Sequence, residues 1–342
     1  PDLHTAWEAA VAGRTPELQP VPTSFRHWTR QLVEHATQQH HELPLWRDIL
    51  NQPNPQLTHR PLNPVVDTWA SARHRSFTVS GRQAACLIAD LPAVFRCSVE
   101  DVLLTALALA MGTWRHGRDD EHGPGLLVDI ERHGREEAVG NLDVSRTVGW
   151  FTTVFPVHLD PGESLAECAA DAASAESSLK RVKEQLRAVP GNGIGYGLLR
   201  YMDLGAAQEL SSEREPQVLF NYLGRVSAVG HDKARDAANW TLLPAENVGE
   251  GADPEMPMTH ALVFNAVTQG TPEVPELLIS LSWPGGLLGQ DRIVALSEDL
   301  RRALAGLANL AGRSNIGGLT PSDVGLLNLS QDEIDEFELD EL

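Results

Sequence analysis

The chain has 342 residues, with 47 acidic and 27 basic side chains and a net charge of −20. That length accommodates one large domain or two of ordinary size, and the negative balance argues against non-specific nucleic-acid binding. No apolar run is long enough to span a bilayer and no basic-then-apolar leader opens the chain. The cysteines Cys86, Cys97 and Cys168 lack the spacing of a disulfide framework or a zinc site, so neither a membrane nor a metal is expected, and a reducing, cytoplasmic setting is.

Residues 2–12 read as a short helix stopped by Gly13, and the Pro-bearing stretch Leu18–Ser24 as an extended linker and the best domain boundary in the N-terminal half. Ser24 caps a helix with Phe25, Trp28 and Leu32 on one face; His40 and His41 read as its polar terminus. Residues 51–72 are rich in Pro and Asn and read as loop, 75–79 as an alternating strand, and about 81–90 as a helix. Ser98 and Asp101 form a capping-box pattern before an apolar run, Val102–Ala110, that is hydrophobic nearly all round and so predicts a buried helix. A charged, Gly-bearing loop (116–124) follows.

The apolar strand Gly125–Ile130 then delivers Glu131 and His133 onto a polar turn, a common way to present acid–base groups on a rigid support. Thr153–Leu159 reads as a strand in which Pro156 marks an edge or a bulge. Ser164 and Glu167 start a long Ala-rich helix to about residue 188, broken by the glycines of 190–197, and a further helix runs to about 210. Strands are expected at 217–222, near 239–243, at 259–267 and at 276–283, then an amphipathic helix over 290–311 and an acidic, solvated tail. Strands alternating with helices make the class α/β.

The glycines at 191–197 follow a helix, lack a Lys-Ser/Thr, and carry Tyr196 where a dinucleotide fingerprint needs its third Gly; they read as a loop needing close backbone approach. Asn221 and Tyr222 end an otherwise apolar strand. Two readings stand side by side: a turn-forming amide with a core aromatic, or an amide and a phenol facing a channel where they donate to a developing oxyanion. Arg146 reads as a buried scaffold arginine paired with Asp143 or another carboxylate.

Four segments then line up in order: ERHGRE (131–136), SRTVGWFTTVFP (145–156), PGNGIGYG (190–197) and FNYLGR (220–225), with a D-x-L-L-x-A helix start at Asp101. They resemble the EGHGRE, RTVGWFT, PxxGxGYG and FNYLG motifs of the epimerization domains of nonribosomal peptide synthetases, members of the condensation-domain superfamily. The resemblance covers essentially the whole chain. Arg132 stands where the family has its first Gly, and the family's HHxxxDG motif has no counterpart.

The resemblance implies a chloramphenicol-acetyltransferase-like lobe, a mixed sheet flanked by helices, forming the C-terminal lobe of a two-lobed V. Residues 1–24 would be a remnant of the N-terminal lobe with its linker, 25–325 the C-terminal lobe, and 326–342 an acidic tail or linker. The missing N-terminal lobe would carry HHxxxDG and its catalytic His. The implied reaction is inversion at the α-carbon of an aminoacyl or peptidyl thioester. The substrate is presented on the phosphopantetheine arm of a peptidyl carrier protein, and no cofactor is bound directly. Glu131, Asn221 and Tyr222 match catalytic or channel positions. His133, Arg135, Asp143, Ser145, Arg146, Trp150, Gly193, Gly195 and Tyr196 fall in the motifs as channel or scaffold residues. The alternative implied by Arg132 and the absent His is a non-catalytic docking module for a carrier domain or partner enzyme.

Overall fold

The computed structural model describes residues 2–116, 125–135, 139, 142–211, 215–226, 252–271, 273–312, 317–325, 329–331, 333, 334 and 336. Six strands form one mixed sheet: β1 (Ala72–Val79), β2 (Leu126–Arg132), β3 (Thr153–Leu159), β4 (Val218–Arg225), β5 (Leu262–Gly270) and β6 (Pro275–Pro284), in the order β1-β6-β5-β4-β2-β3. The central β2, β4 and β5 run parallel; β3 on one side and β6 and β1 on the other are antiparallel to their neighbours. The three parallel strands therefore bring their carboxyl ends to the same rim. The strand expected near 239–243 lies outside the described residues.

Eleven α-helices are described: α1 (Asp2–Val11), α2 (Phe25–Ala36), α3 (Leu43–Leu50), α4 (Gly81–Ala85), α5 (Leu91–Val94), α6 (Val99–His116), α7 (Leu165–Ala170), α8 (Ala172–Arg187), α9 (Ile194–Met202), α10 (Leu204–Glu209) and α11 (Gln290–Ala308). A π turn over Cys86–Asp90 joins α4 to α5 and carries that helix to Val94. The long helix expected over 164–188 is two helices. Asp171 leaves helical geometry (φ −134°, ψ 133°) and its carboxylate accepts from the Ser174 amide, capping α8. Asp203 separates α9 from α10 in the same way. Sequence periodicity runs through both breaks because a capping Asp replaces only one residue of the pattern.

The core lies on one face of the sheet. Val128, Ile130, Phe155, Val157, Phe220, Phe264, Leu277, Ile279 and Leu281 alternate inward, and the Phe220 and Phe264 rings stack at 5.1 Å. α6 and α11 pack together over this face. Residues 101–112 of α6 are all buried, as an all-round apolar helix requires. Its first turn is held by the Ser98–Asp101 capping box, at 2.7 and 3.1 Å. Pro156 lies in β3, an edge strand, where its missing N–H costs no ladder bond to a further strand. Near the C-terminus, Ile334 is buried, so the acidic segment is not solvated throughout.

A second, smaller core joins α2, α9 and the loop 142–151: Trp28, Ala36, Val139, Val144, Phe151, Ile194 and Leu198. Phe151 sits between Phe25 and Trp28, with ring centroids at 5.4 and 5.5 Å.

Candidate functional site

β2 continues through Arg132, so Glu131 is held within the strand and not on a turn. Two residues past the end of the strand lies Gly134, whose φ is +62° and where an added Cβ would sit 1.7 Å from the Phe151 carbonyl oxygen. Only glycine fits that combination of left-handed backbone and contact. Ladder register places Glu131 beside Asn221 of β4, and Asn221 beside Asn265 of β5. Side chains in register share a face, so a carboxylate and two amides form a row across the three parallel strands.

Glu131 and Asn221 line a cleft of about 530 Å³ at the rim of the sheet. The cleft is completed by Arg132, His133, Tyr222 and residues 223–224, where the register of β4 shifts against β5, and by residues from the start of α6, the end of α8 and Asn192. A ligand site at the carboxyl ends of parallel strands is the usual arrangement of α/β sheets. Asn221 and Tyr222 both reach the cleft but from opposite sides of β4, because adjacent strand residues alternate. Tyr222 is in register with Ala266, and its hydroxyl shares a 2.8 Å hydrogen bond with Thr268 Oγ1.

Burial raises the Glu131 carboxyl above its ordinary range, and the nearby His260 opposes this. Arg132 is committed elsewhere. Its Nε and Nη2 donate to Glu100 Oε1 at 3.0 and 2.7 Å, and its Nη1 donates to Asn192 Oδ1 at 3.2 Å. Arg187 pairs with Asp101 at 3.0 Å. The cleft's two arginines are thus already neutralised by carboxylates on α6.

The other residues singled out by motif lie outside the cleft. Arg135 donates through Nη1 to the Val144 and Thr147 carbonyls, at 2.6 and 3.0 Å, and its guanidinium lies 4.2 Å over the Phe151 ring. Asp143 accepts from the Ser145 amide and hydroxyl in an exposed turn. Arg146 pairs with Asp2 of α1 at 2.9 Å, not with Asp143, and donates to the Gln19 carbonyl. It is only partly buried, since 28% of its side chain remains exposed. Trp150 is 81% exposed. Gly193 (φ +81°) lies where a Cβ would meet the Phe155 ring at 2.1 Å, and Gly195 where it would meet Glu42 Oε2 at 2.0 Å. Tyr196 packs on Trp46 at 5.4 Å, and burial, aided by the Asp129 carboxylate, raises its hydroxyl well above the usual range.

Sequence reasoning missed Asn265, and also Asp129 and His260, which join at 2.9 Å. A signal for Asn265 was present: Leu219-Phe220-Asn221 in β4 is echoed by Val263-Phe264-Asn265 in β5, with the two phenylalanines and the two asparagines in register. Asp129 and His260 are 131 positions apart, and no local pattern links them.

Among the described residues, no group of three His, Cys, Asp or Glu side chains could hold a metal ion, and no helix is long and apolar enough to cross a membrane.

A mixed sheet flanked by helices, with a polar cleft at the rim of its parallel strands, defines a chloramphenicol-acetyltransferase-like lobe. The family profile described as Condensation domain matches residues 1–248, and the chain belongs to that family. It is 32% identical over 341 residues to one of the linear gramicidin synthase polypeptides of Brevibacillus parabrevis, covering 98% of this chain and 6% of that protein. To Chondramide synthase cmdD of Chondromyces crocatus it is 33% identical over 350 residues, covering 98% of this chain and 8% of that protein. The chain therefore spans a small part of these relatives.

Among solved structures it is similar to the epimerization domain from the third module of tyrocidine synthetase B. The TM-score is 0.73 and the identity 26%, covering 90% of this chain and 64% of that one. The X-domain from teicoplanin biosynthesis shares the fold, with TM-score 0.56 and 19% identity, covering 91% and 64%.

Proposed function

We propose that this chain supplies the Glu-bearing half of a peptidyl-thioester epimerase in nonribosomal peptide synthesis, inverting the α-carbon of an aminoacyl or peptidyl group carried on the phosphopantetheine arm of a carrier protein. The observation that carries the reading is the in-register pair of Glu131 and Asn221 at the carboxyl ends of adjacent parallel strands, lining a cleft large enough for an extended chain.

The chemistry needs a proton removed from one face of the α-carbon and another returned to the opposite face. As the C–H bond breaks, its electron pair passes to the thioester carbonyl oxygen and forms an enolate. A carboxyl group raised by burial holds a proton closer to neutral pH than an exposed one, so Glu131 is suited to deliver or reclaim the proton on one face. Asn221 presents an amide donor beside it for the enolate oxygen. Tyr222 can give its phenolic proton toward the cleft when Thr268 donates to it, since either oxygen of that pair can be the donor. The acid–base group for the other face would come from a second lobe bearing HHxxxDG. The solved epimerization domain, of which this chain covers 64%, is long enough to contain one.

Solvent deuterium uptake at the α-carbon of a carrier-bound peptidyl thioester tests the reading, measured with this chain alone and with an upstream lobe joined to it. Uptake only in the two-lobed form is expected. No uptake in either form, with carrier binding intact, would replace it with the docking-module reading.

A further inference from the structure

Arg132 closes β2, one residue past Glu131 and on the opposite face of the strand. That is the core face, where Ile130 and Phe155 are buried side by side. A long cation at a strand end ordinarily keeps its head in water, yet only 15% of the Arg132 side chain is exposed. Its guanidinium is held from three directions. Nε and Nη2 donate to Glu100 Oε1 in the first turn of α6, Nη1 donates to Asn192 Oδ1, and the Phe155 ring centroid lies 5.4 Å away.

Both anchors are themselves fixed. The start of α6 is held by Asp101 Oδ2, which accepts from the Ser98 amide at 2.7 Å and from Arg187 Nη2 at 3.0 Å. Asn192 stands between Gly191 and Gly193, all three with positive φ, and the turn lies so close to Phe155 that a Cβ on Gly193 would meet its ring at 2.1 Å. Moving Arg132 aside would strip its cation from the largely buried Glu100 carboxylate, and an uncompensated buried charge is strongly unfavourable.

Arg132, Glu100 and Asn192 all line the cleft, as do Glu131 and Asn221. An acyl group that reaches Glu131 therefore shares the space with a bridge that does not yield. The bridge adds little to the attachment of α6, whose residues 101–112 are all buried without it. It is also charge-balanced, so it acts on a ligand by shape and not by attracting an ion.

We propose that Arg132 is a specificity-determining residue: its bridge to Glu100 and Asn192 bounds the cleft beside Glu131 and admits acyl groups with small side chains over those with bulky aromatic ones. The inference deepens the epimerase reading and rests on it for the kind of ligand, an aminoacyl or peptidyl group on a pantetheine arm.

The test is the binding of two probes to the full chain, N-acetylalanyl and N-acetyltryptophanyl pantetheine amides, in which an amide replaces the thioester so that nothing is hydrolysed. Dissociation constants are read by ligand-observed NMR titration. Wild type should bind the alanyl probe at least about tenfold more tightly than the tryptophanyl one, the scale on which a pocket of fixed size discriminates side chains. Arg132→Ala should tighten the tryptophanyl probe by about that factor and leave the alanyl probe within about threefold. Arg132→Ala combined with Glu100→Ala leaves no carboxylate unpaired; it should do the same, and it decides if Arg132→Ala alone does not fold. Equal affinities in wild type, an unchanged preference in a folded variant, or no saturable binding of either probe would overturn the proposal. So would loss of folding in both variants, which would make the bridge a structural tie. Binding needs no turnover, so failure of the epimerase reading would show separately, as absent deuterium uptake with the probe preference intact.

Discussion

Two stretches of this chain carry motifs of similar specificity, and they do different work. Residues 131–133, at the end of β2, and 221–224, at the end of β4, line a cleft. The loop 142–151 buries Val144, Thr147 and Phe151 and ties parts of the molecule together, with Phe151 between Phe25 and Trp28, Arg135 clamped on the Val144 and Thr147 carbonyls, and Arg146 tied to α1. Matching a motif therefore says that a residue is needed without saying for what. The distinction is physical. A group kept for chemistry has donor or acceptor capacity facing open space, whereas a group kept for scaffolding has spent its capacity on the backbone.

That contrast predicts opposite phenotypes. The largest effect is expected at Glu131. In the two-lobed domain Glu131→Gln should lower α-proton exchange about 10²–10⁴-fold, the usual worth of a positioned acid–base group, without weakening carrier binding. Unchanged exchange in deuterium-uptake assays would break the division between the two stretches. Asn221→Ala should cost on the order of 10²-fold in the same assay if its amide meets the enolate oxygen, with the unfolding midpoint in urea little changed.

The loop and its partners should behave in reverse. Gly193→Ala, forcing a Cβ into the Phe155 ring from a left-handed backbone, should cost about 2–4 kcal/mol of stability by urea denaturation. Arg135→Leu should cost about 1.5–3 kcal/mol by removing two charge-assisted bonds to carbonyls. Arg146→Ala, whose pair with Asp2 is partly solvated, should cost less than about 1 kcal/mol.

A pH dependence sharpens the same comparison. Burial raises the Glu131 pKa in the folded chain, so folding favours its protonated form. Its burden on stability is absent below the unfolded value of 4.5 and grows as pH rises through the folded pKa. Glu131→Gln should therefore stabilise the chain near neutral pH and lose that advantage below pH 4.5, the usual mark of a group kept for chemistry and not for the fold.

Much of the fold was legible from local pattern. The alternation of 153–159 and 276–283, the all-round apolar run after Ser98 and the glycine stop after α1 each follow from short-range rules, and strand and helix appear where those rules place them. The breaks at Asp171 and Asp203 were not legible, because a single capping Asp leaves the surrounding helical periodicity intact. Of the site, Glu131, Asn221 and Tyr222 were singled out from sequence, but their relation was not. Strand register, which sequence does not state, makes Glu131 and Asn221 neighbours, and alternation sends Tyr222 to the other face, against Thr268.

By itself, then, the amino-acid sequence determined which elements form and which polar residues stand at their ends, since capping, periodicity and glycine placement act over a few residues. Only the tertiary structure decided the strand order that makes β2, β4 and β5 parallel neighbours, the partner of Arg146, and the meeting of Asp129 with His260 across 131 positions of chain. The strand order comes from burying one face of a sheet against α6 and α11, and the two side-chain contacts from the chain segments that this packing brings together, a collective requirement that no single stretch of residues encodes.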